Sequence, residues 1–345
     1  MPLSDDFLNA NTRHSIYLER YKARIAREIM GLIDDVESDI LKQAVRREIN
    51  EMTKRELREL LTKISRTIKD GYEPITVLLD GEVKALAAYE AEWQRDLFQN
   101  TVPIEFDWSS PAPEQLYAAT HARPFNGRLL KEWYKGLPDA TFRRVREVIR
   151  MGYVDGQTTD EIVRQIRGTR SRPGIMDQSR RGATAAVRTA LAHTSNVARN
   201  EVYRANRKLI KGVEWVSTLD SRTSHICMAR DGKLYPVDSG PRPPAHPNCR
   251  SSTIPVVKSY RQLGLKGTDK GTRASMNGQV SGDMTYDEWL RKQPTAFQDD
   301  VLGVSKGRLF RSGLTVDKFV DRAGNELTLD QLKQRESAAW AESGL

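Results

Sequence analysis

Disulfide chemistry, a membrane span and a secretory leader are all poorly supported by this sequence. It holds only two cysteines, Cys227 and Cys249, in 345 residues, too few to staple a secreted domain and unnecessary in a chain with this much core-forming material. No run approaches the roughly 18 apolar residues that a membrane helix requires. The start Met1-Pro2-Leu3-Ser4-Asp5-Asp6 has no apolar signal core, so synthesis in the cytosol is expected. Aromatic residues make up 7% of the chain. Several catalytic signatures are missing as well: there is no Walker A loop, no H-E-x-x-H and no G-x-G-x-x-G, nor the H-x-E and P-C-x-x-C pair of zinc nucleobase deaminases.

What is present is charge. Charged residues are 29% of the chain against 38% hydrophobic, with a net charge of +9. Such a balance favours a polyanionic partner, because Lys and Arg gain from releasing counterions off a phosphate backbone. The stretch Arg164 to Arg188 sets seven arginines against the single acid Asp177. Arg164, Arg167, Arg170, Arg172, Arg180 and Arg181 are therefore the candidate nucleic-acid contacts, against the plainer reading of a solvated surface.

At this length two or three folding units are expected. The pattern indicates an α+β protein, predominantly α-helical: an extended helical bundle, a small mixed α/β module and a loosely structured C-terminal segment. Apolar positions from Leu18 to Val36 recur at three- and four-residue steps, as on a buried helix face. A second helix through Ile40 to Ile68 is predicted to end at Asp70-Gly71, with Pro74 opening a third that runs to Leu97. The Pro- and Ser-rich stretch from 101 to 113 reads as a boundary. Helices resume from Glu114; Thr158 or Thr159 is placed to cap one whose first turn is acidic, and an alanine-rich helix covers about Ser179 to Ala205. Alternation in 213–219 and a turn at Asp231-Gly232 predict two short strands. A Gly-, Lys- and Ser-rich linker is expected over 258–285, then short helices at 286–292, 295–302 and near 327–339. The resulting partition is 1–105, 106–257 and 258–345.

Both cysteines and two of the five histidines fall within 25 positions, as His225-Ile226-Cys227 and His246-Pro247-Asn248-Cys249. Thiolates and imidazoles are the ligands of tetrahedral zinc, and two pairs about 18 residues apart suit a hairpin. Zinc is thus a candidate cofactor, held by Cys227, His246 and Cys249, with His225 or Asp220 as fourth ligand. The alternatives are two small buried cysteines or one disulfide, and a thiol nucleophile made of Cys249, His246 and Asp238. Asp220 at a strand end can accept backbone N–H bonds, and Arg222 can reach it or another carboxylate as a bidentate donor. Pro243, Pro244 and Pro247 hold the following loop extended.

The run V-E-W-V-S-T-L-D-S-R-T-S-H-I-C-M-A-R-D-G-K-L-Y-P-V, followed by P-R-P-P-A-H-P-N-C-R-S-S-T, resembles the signature of the phage Mu F-like head morphogenesis family. Its specific parts are D-x-R-T-x-x-x-C and H-P-x-C-R, which single out Asp220, Arg222, Thr223, Pro247 and Arg250. The likeness extends over about 140 to 255, through Gly156-Gln157-Thr158, Arg188-Thr189 and Asn196, and Tyr286-Asp287-Glu288-Trp289-Leu290 is similar to a downstream segment of such proteins. The resemblance implies a minor head protein of a tailed bacteriophage, without catalytic residues, associated with portal and scaffold or capsid proteins, in several copies per virion, with DNA as a further partner and no membrane. It also implies two departures: Ser224 stands where relatives have the first Cys of a C-x-x-C pair, and Ala190 where they have the acid of R-T-E. A zinc-stabilised DNA-binding module and a phage-delivered effector enzyme are the other functional readings.

Overall fold

The structure, a computed structural model, describes residues 3–102, 106–257 and 272–345. The elements, in chain order, are α1 (Leu3–Ala44), α2 (Lys54–Thr101), α3 (Pro113–Ala122), α4 (Leu130–Lys135), α5 (Leu137–Val154), α6 (Thr159–Arg167), α7 (Ile175–Ala205), β1 (Ile210–Val216), α8 (His225–Arg230), β2 (Leu234–Tyr235), β3 (Ser252–Val257), β4 (Thr272–Ser275), β5 (Gly278–Ser281), α9 (Tyr286–Arg291), α10 (Thr295–Leu302), α11 (Val304–Arg311), α12 (Leu329–Arg335) and α13 (Ser337–Glu342). The fold is α+β and predominantly helical. Two compact units divide it: Met1–Leu18, Glu90–Pro111 and Ala198–Leu345 form one, Glu19–Tyr89 and Ala112–Val197 the other. Each unit draws on more than one segment of the partition read from the sequence.

The second unit, 19–89 with 112–197, is wholly helical. Its apolar stripes behave as their periodicity predicts: Ile25, Ile29, Ile33, Val36 and Ile40 are buried on α1, and Leu57, Leu61, Ile64 and Ile68 on α2. The helix break differs from expectation. It falls at 45–53, where a single 3-10 turn (Ile49–Glu51) interrupts the chain, while Asp70, Gly71 and Pro74 lie inside the 48-residue α2. Gly71 is there for proximity, since a Cβ on it would come within 2.3 Å of Val36 Cγ2. Polar side chains tie the helices at depth: Tyr72 Oη, Thr141 Oγ1 and Ser179 Oγ form a chain of 2.9 and 3.0 Å hydrogen bonds linking α2, α5 and α7. Thr158 caps α6 through a capping box with Glu161.

In the first unit, β2-β1-β3 form an antiparallel sheet with Val213 opposite Tyr235 and Trp215 opposite Thr253. Gly212 is required by close strand approach, because a Cβ there would sit 2.8 Å from the Tyr235 carbonyl oxygen. Part of the stretch expected as linker, residues 272–281, is instead the β4-β5 hairpin; the rest of it, 258–271, lies outside the described residues. The short C-terminal helices share a core with the preceding segment. Tyr286, Trp289, Leu290, Phe310, Phe319 and Leu332 join Leu219 and Met228 in one buried core, so α9 to α12 are packed onto the segment that carries the cysteines.

Candidate metal centre

Cys227, His246 and Cys249 converge, their ligand atoms all within 4.8 Å of one another. Local structure explains how. Ser224 is the N-cap of α8, which puts Cys227 on that helix's first turn. The second pair arrives on a tight turn: the Cys249 N–H donates to the His246 carbonyl at 3.2 Å, Pro247 fixes one φ, and Asn248 takes φ 60, a left-handed conformation that Asn tolerates. Behind the cluster lies Trp215 of β1, fully buried against both sulfurs' residues. Its Nε1 donates to Ser217 Oγ at 3.0 Å, and Ser217 Oγ donates to the Cys227 carbonyl at 2.8 Å.

The sulfurs stand 3.6 Å apart as free thiols, well beyond the roughly 2.05 Å of a disulfide bond. Cys227 Sγ is 3.4 Å from His246 Nε2. His246 Nδ1 faces the Pro247 carbonyl at 2.8 Å, a contact that suits a proton on Nδ1 and leaves Nε2 as the acceptor beside Cys227 Sγ and Ser224 Oγ. The thiols are electrostatically unequal. A hydrogen bond from Cys227 pulls the Cys249 thiol well below the usual range, against burial and with help from His246 and the Ala245 N–H. Cys227 moves the opposite way, raised by its bond to Cys249 and by burial. The hydrogen bond with Cys249 also raises His246. Two sulfurs and one imidazole nitrogen thus converge, and this combination is a donor set suited to zinc.

The structure does not bring His225 or Asp220 to this group. His225 Nδ1 faces Glu326 at 3.0 Å. Asp220 is held by Arg250, whose two terminal nitrogens donate to its two oxygens at 2.5 and 2.8 Å. Arg250 is therefore the bidentate partner of Asp220; Arg222 contributes its backbone N–H to Asp220 at 3.0 Å, while its guanidinium, 80% exposed, has Nε 3.9 Å from an Asp220 oxygen. Thr223 Oγ1 donates to the Thr218 carbonyl, and Tyr286 Oη to the Asp220 carbonyl at 2.7 Å. What lies beside the cluster instead is Ser224, with Oγ 2.8 Å from His246 Nε2. Asp238 pairs with Arg204 at 3.3 Å, so the nucleophile arrangement lacks its orienting carboxylate. Zinc would be held by Cys227, His246 and Cys249, with the hydroxyl of Ser224 or water at the fourth position.

Of the candidate nucleic-acid contacts, Arg164, Arg167, Arg170, Arg172 and Arg181 are exposed, whereas Arg180 is consumed within the helical unit by Asp34, Glu37 and Asp177. Two buried ion pairs escaped the sequence reading. Asp231, fully buried, takes a fork from Arg273 at 2.8 and 2.9 Å and accepts the Ser217 and Tyr286 N–H groups at 2.7 Å. Arg199 of α7 meets Glu90 of α2. Neither pair has a local sequence signal, because the partners lie 42 and 109 positions apart.

Among the described residues no helix is long and apolar enough to cross a membrane. No curated protein and no solved structure is detectably similar to the chain. The family model described as phage Mu protein F like protein matches residues 143–254, a span that runs from α5 into β3 and contains the whole Cys/His cluster, and over this region the chain is similar to that family.

Proposed function

We propose that the protein is a head morphogenesis protein of a tailed bacteriophage: a minor head protein, present in several copies in the virion, acting beside the portal with scaffold or capsid proteins. The observation that carries this reading is the family match over 143–254. Two carboxylates of that region support a structural role, because each is spent on a guanidinium: Asp220 on Arg250 within it, and Asp231 on Arg273 of the β4-β5 hairpin beyond it. We assign it no catalytic residue. The partition 1–105, 106–257 and 258–345 belongs to the same reading, with the middle part as the head-morphogenesis region. DNA is a secondary partner, contacted through the exposed arginines of 164–181.

The test is co-purification of the tagged protein with portal from infected cells, before and after nuclease, with mass spectrometry of purified heads. Association that survives nuclease, and peptides of this chain in the heads, are expected. Loss of portal on nuclease treatment would make DNA the bridge and overturn the protein contact. The Cys/His cluster favours a second reading, a zinc-stabilised DNA-binding module, which predicts that chelation abolishes DNA binding while leaving portal association intact.

A further inference from the structure

A groove of about 750 Å³ in the helical unit is walled by α2 and α5. Arg58, Arg66 and Lys69 line it from α2, Arg146 and Arg150 from α5, and Asp70 is the one acid among its lining residues. Helical spacing produces the convergence: steps of three, four and eight residues return a side chain to nearly the same face. Among the described residues none of the five cations makes an ion pair with a carboxylate. Arg47 and Arg55, close by in sequence, behave otherwise and pair with Glu56 and Glu59. Carboxylates are thus supplied to arginines just outside the groove and withheld inside it, although like charges at such spacings oppose helix formation.

We propose that this groove is a binding site for the phosphodiester backbone of DNA, distinct from the arginines of 164–181. Four of the five cations are guanidinia, whose planar N–H forks match phosphate oxygens two at a time. Cations on both walls suit one strand of phosphates lying along the groove. The Ser65 hydroxyl adds a neutral donor, whereas the Thr62 hydroxyl donates to the Arg58 carbonyl at 2.8 Å; Arg146, over the Phe142 ring at 5.7 Å, is held in place by a cation–π contact. None of these groups reads a base edge, so binding is indifferent to sequence. The choice of DNA over an acidic polypeptide rests on the proposed role in a phage head.

The experiment measures binding of the full chain to a short labelled duplex of mixed sequence as salt is raised, by fluorescence anisotropy. The triple variant Arg66→Gln, Arg146→Gln, Arg150→Gln should lower the slope of log affinity against log salt by about 3, one for each cation removed, with an unchanged melting temperature. Should it fail to fold, Arg58→Gln with Lys69→Gln gives an expected loss of about 2. An unchanged slope in a folded variant overturns the proposal. So does displacement of the duplex by poly-glutamate at equal charge, which would assign the groove to an acidic protein segment. The proposed function fails separately: absence of the chain from purified heads would remove the head role while leaving a salt-sensitive groove in place.

Discussion

Arg199 and Glu90 form an ion pair from which solvent is absent: their side chains are 1% and 0% exposed, and the Arg199 Nε and one terminal nitrogen both donate to Glu90 Oε1, at 2.9 and 2.8 Å. The other carboxylate oxygen meets His14 Nε2 at 2.7 Å, and the second terminal nitrogen of Arg199 donates to the Thr253 carbonyl at 3.0 Å. The pair therefore joins α1, α2, α7 and β3. Removing one partner strands a buried charge, so Glu90→Gln is expected to cost about 3–5 kcal/mol in urea unfolding. Replacing both, as Glu90→Leu with Arg199→Met, should recover most of that loss. A single variant as stable as the parent would show the pair to be energetically idle.

Acid should destabilise the protein in two windows. Burial pulls His193 down to about 4 from 6.5, even though its ring nitrogen lies 3.2 Å from the Thr120 carbonyl. The unfolded chain takes up that proton first, so the contribution is complete above pH 6.5 and is lost as pH falls toward 4. Glu90 follows. Burial would raise it, but Arg199 and His14 prevail and hold it at about 2 against 4.5, and its contribution disappears between those values as pH falls. Each is worth on the order of 3 kcal/mol. Unfolding free energy measured against pH should lose the upper window in His193→Gln and keep the lower one; an upper window that persists would exclude His193 as its source.

Gly71 and Gly31 make a matched pair on long helices. Alanine at 71 gains about 1 kcal/mol of helix propensity but must displace Val36, whose Cγ2 would lie at 2.3 Å. Overpacking costs about 1–3 kcal/mol, so Gly71→Ala should lower the melting temperature. Gly31→Ala meets nothing within 4 Å and should raise it. A stabilising Gly71→Ala would mean that α1 and α2 separate easily at that level.

The same glycine illustrates what the sequence could and could not convey. Apolar periodicity identified the buried faces of α1 and α2, because burial acts on each helix separately and leaves its mark at three- and four-residue steps. Gly71 and Pro74 carried two meanings, termination or close packing, and only the neighbour Val36 distinguishes them. Thr158 was legible because a capping box is complete within four residues. Cys227, His246 and Cys249 were legible because soft ligands are rare and clustered. The Arg250 fork onto Asp220 was not legible, since Arg222 is nearer in sequence and proximity is a poor guide to which guanidinium reaches back across a turn. Glu90 with Arg199 left no trace, being a pairing across 109 positions.

Ser224 offers the most direct control over the cluster. It stands three residues before Cys227, caps α8, and places its hydroxyl 2.8 Å from His246 Nε2. A serine hydroxyl is a poor zinc ligand beside a thiolate, so the native set has two sulfurs and one nitrogen of full strength. Ser224→Cys would supply the third sulfur on the same side of the cluster, with little loss of capping, since no side-chain cap bond is made there. Zinc affinity, measured by competition with a chromogenic chelator, should rise by at least about tenfold, the change expected of a single improved ligand interaction. The native chain should carry up to one zinc by elemental mass spectrometry, with both thiols reacting faster after chelation. Because metal binding releases thiol protons, native affinity should fall as pH drops. If Ser224→Cys gains no affinity, and both thiols of the native chain titrate freely whether or not chelator is present, then Cys227, His246 and Cys249 form a packing cluster against Trp215 and the metal reading is excluded.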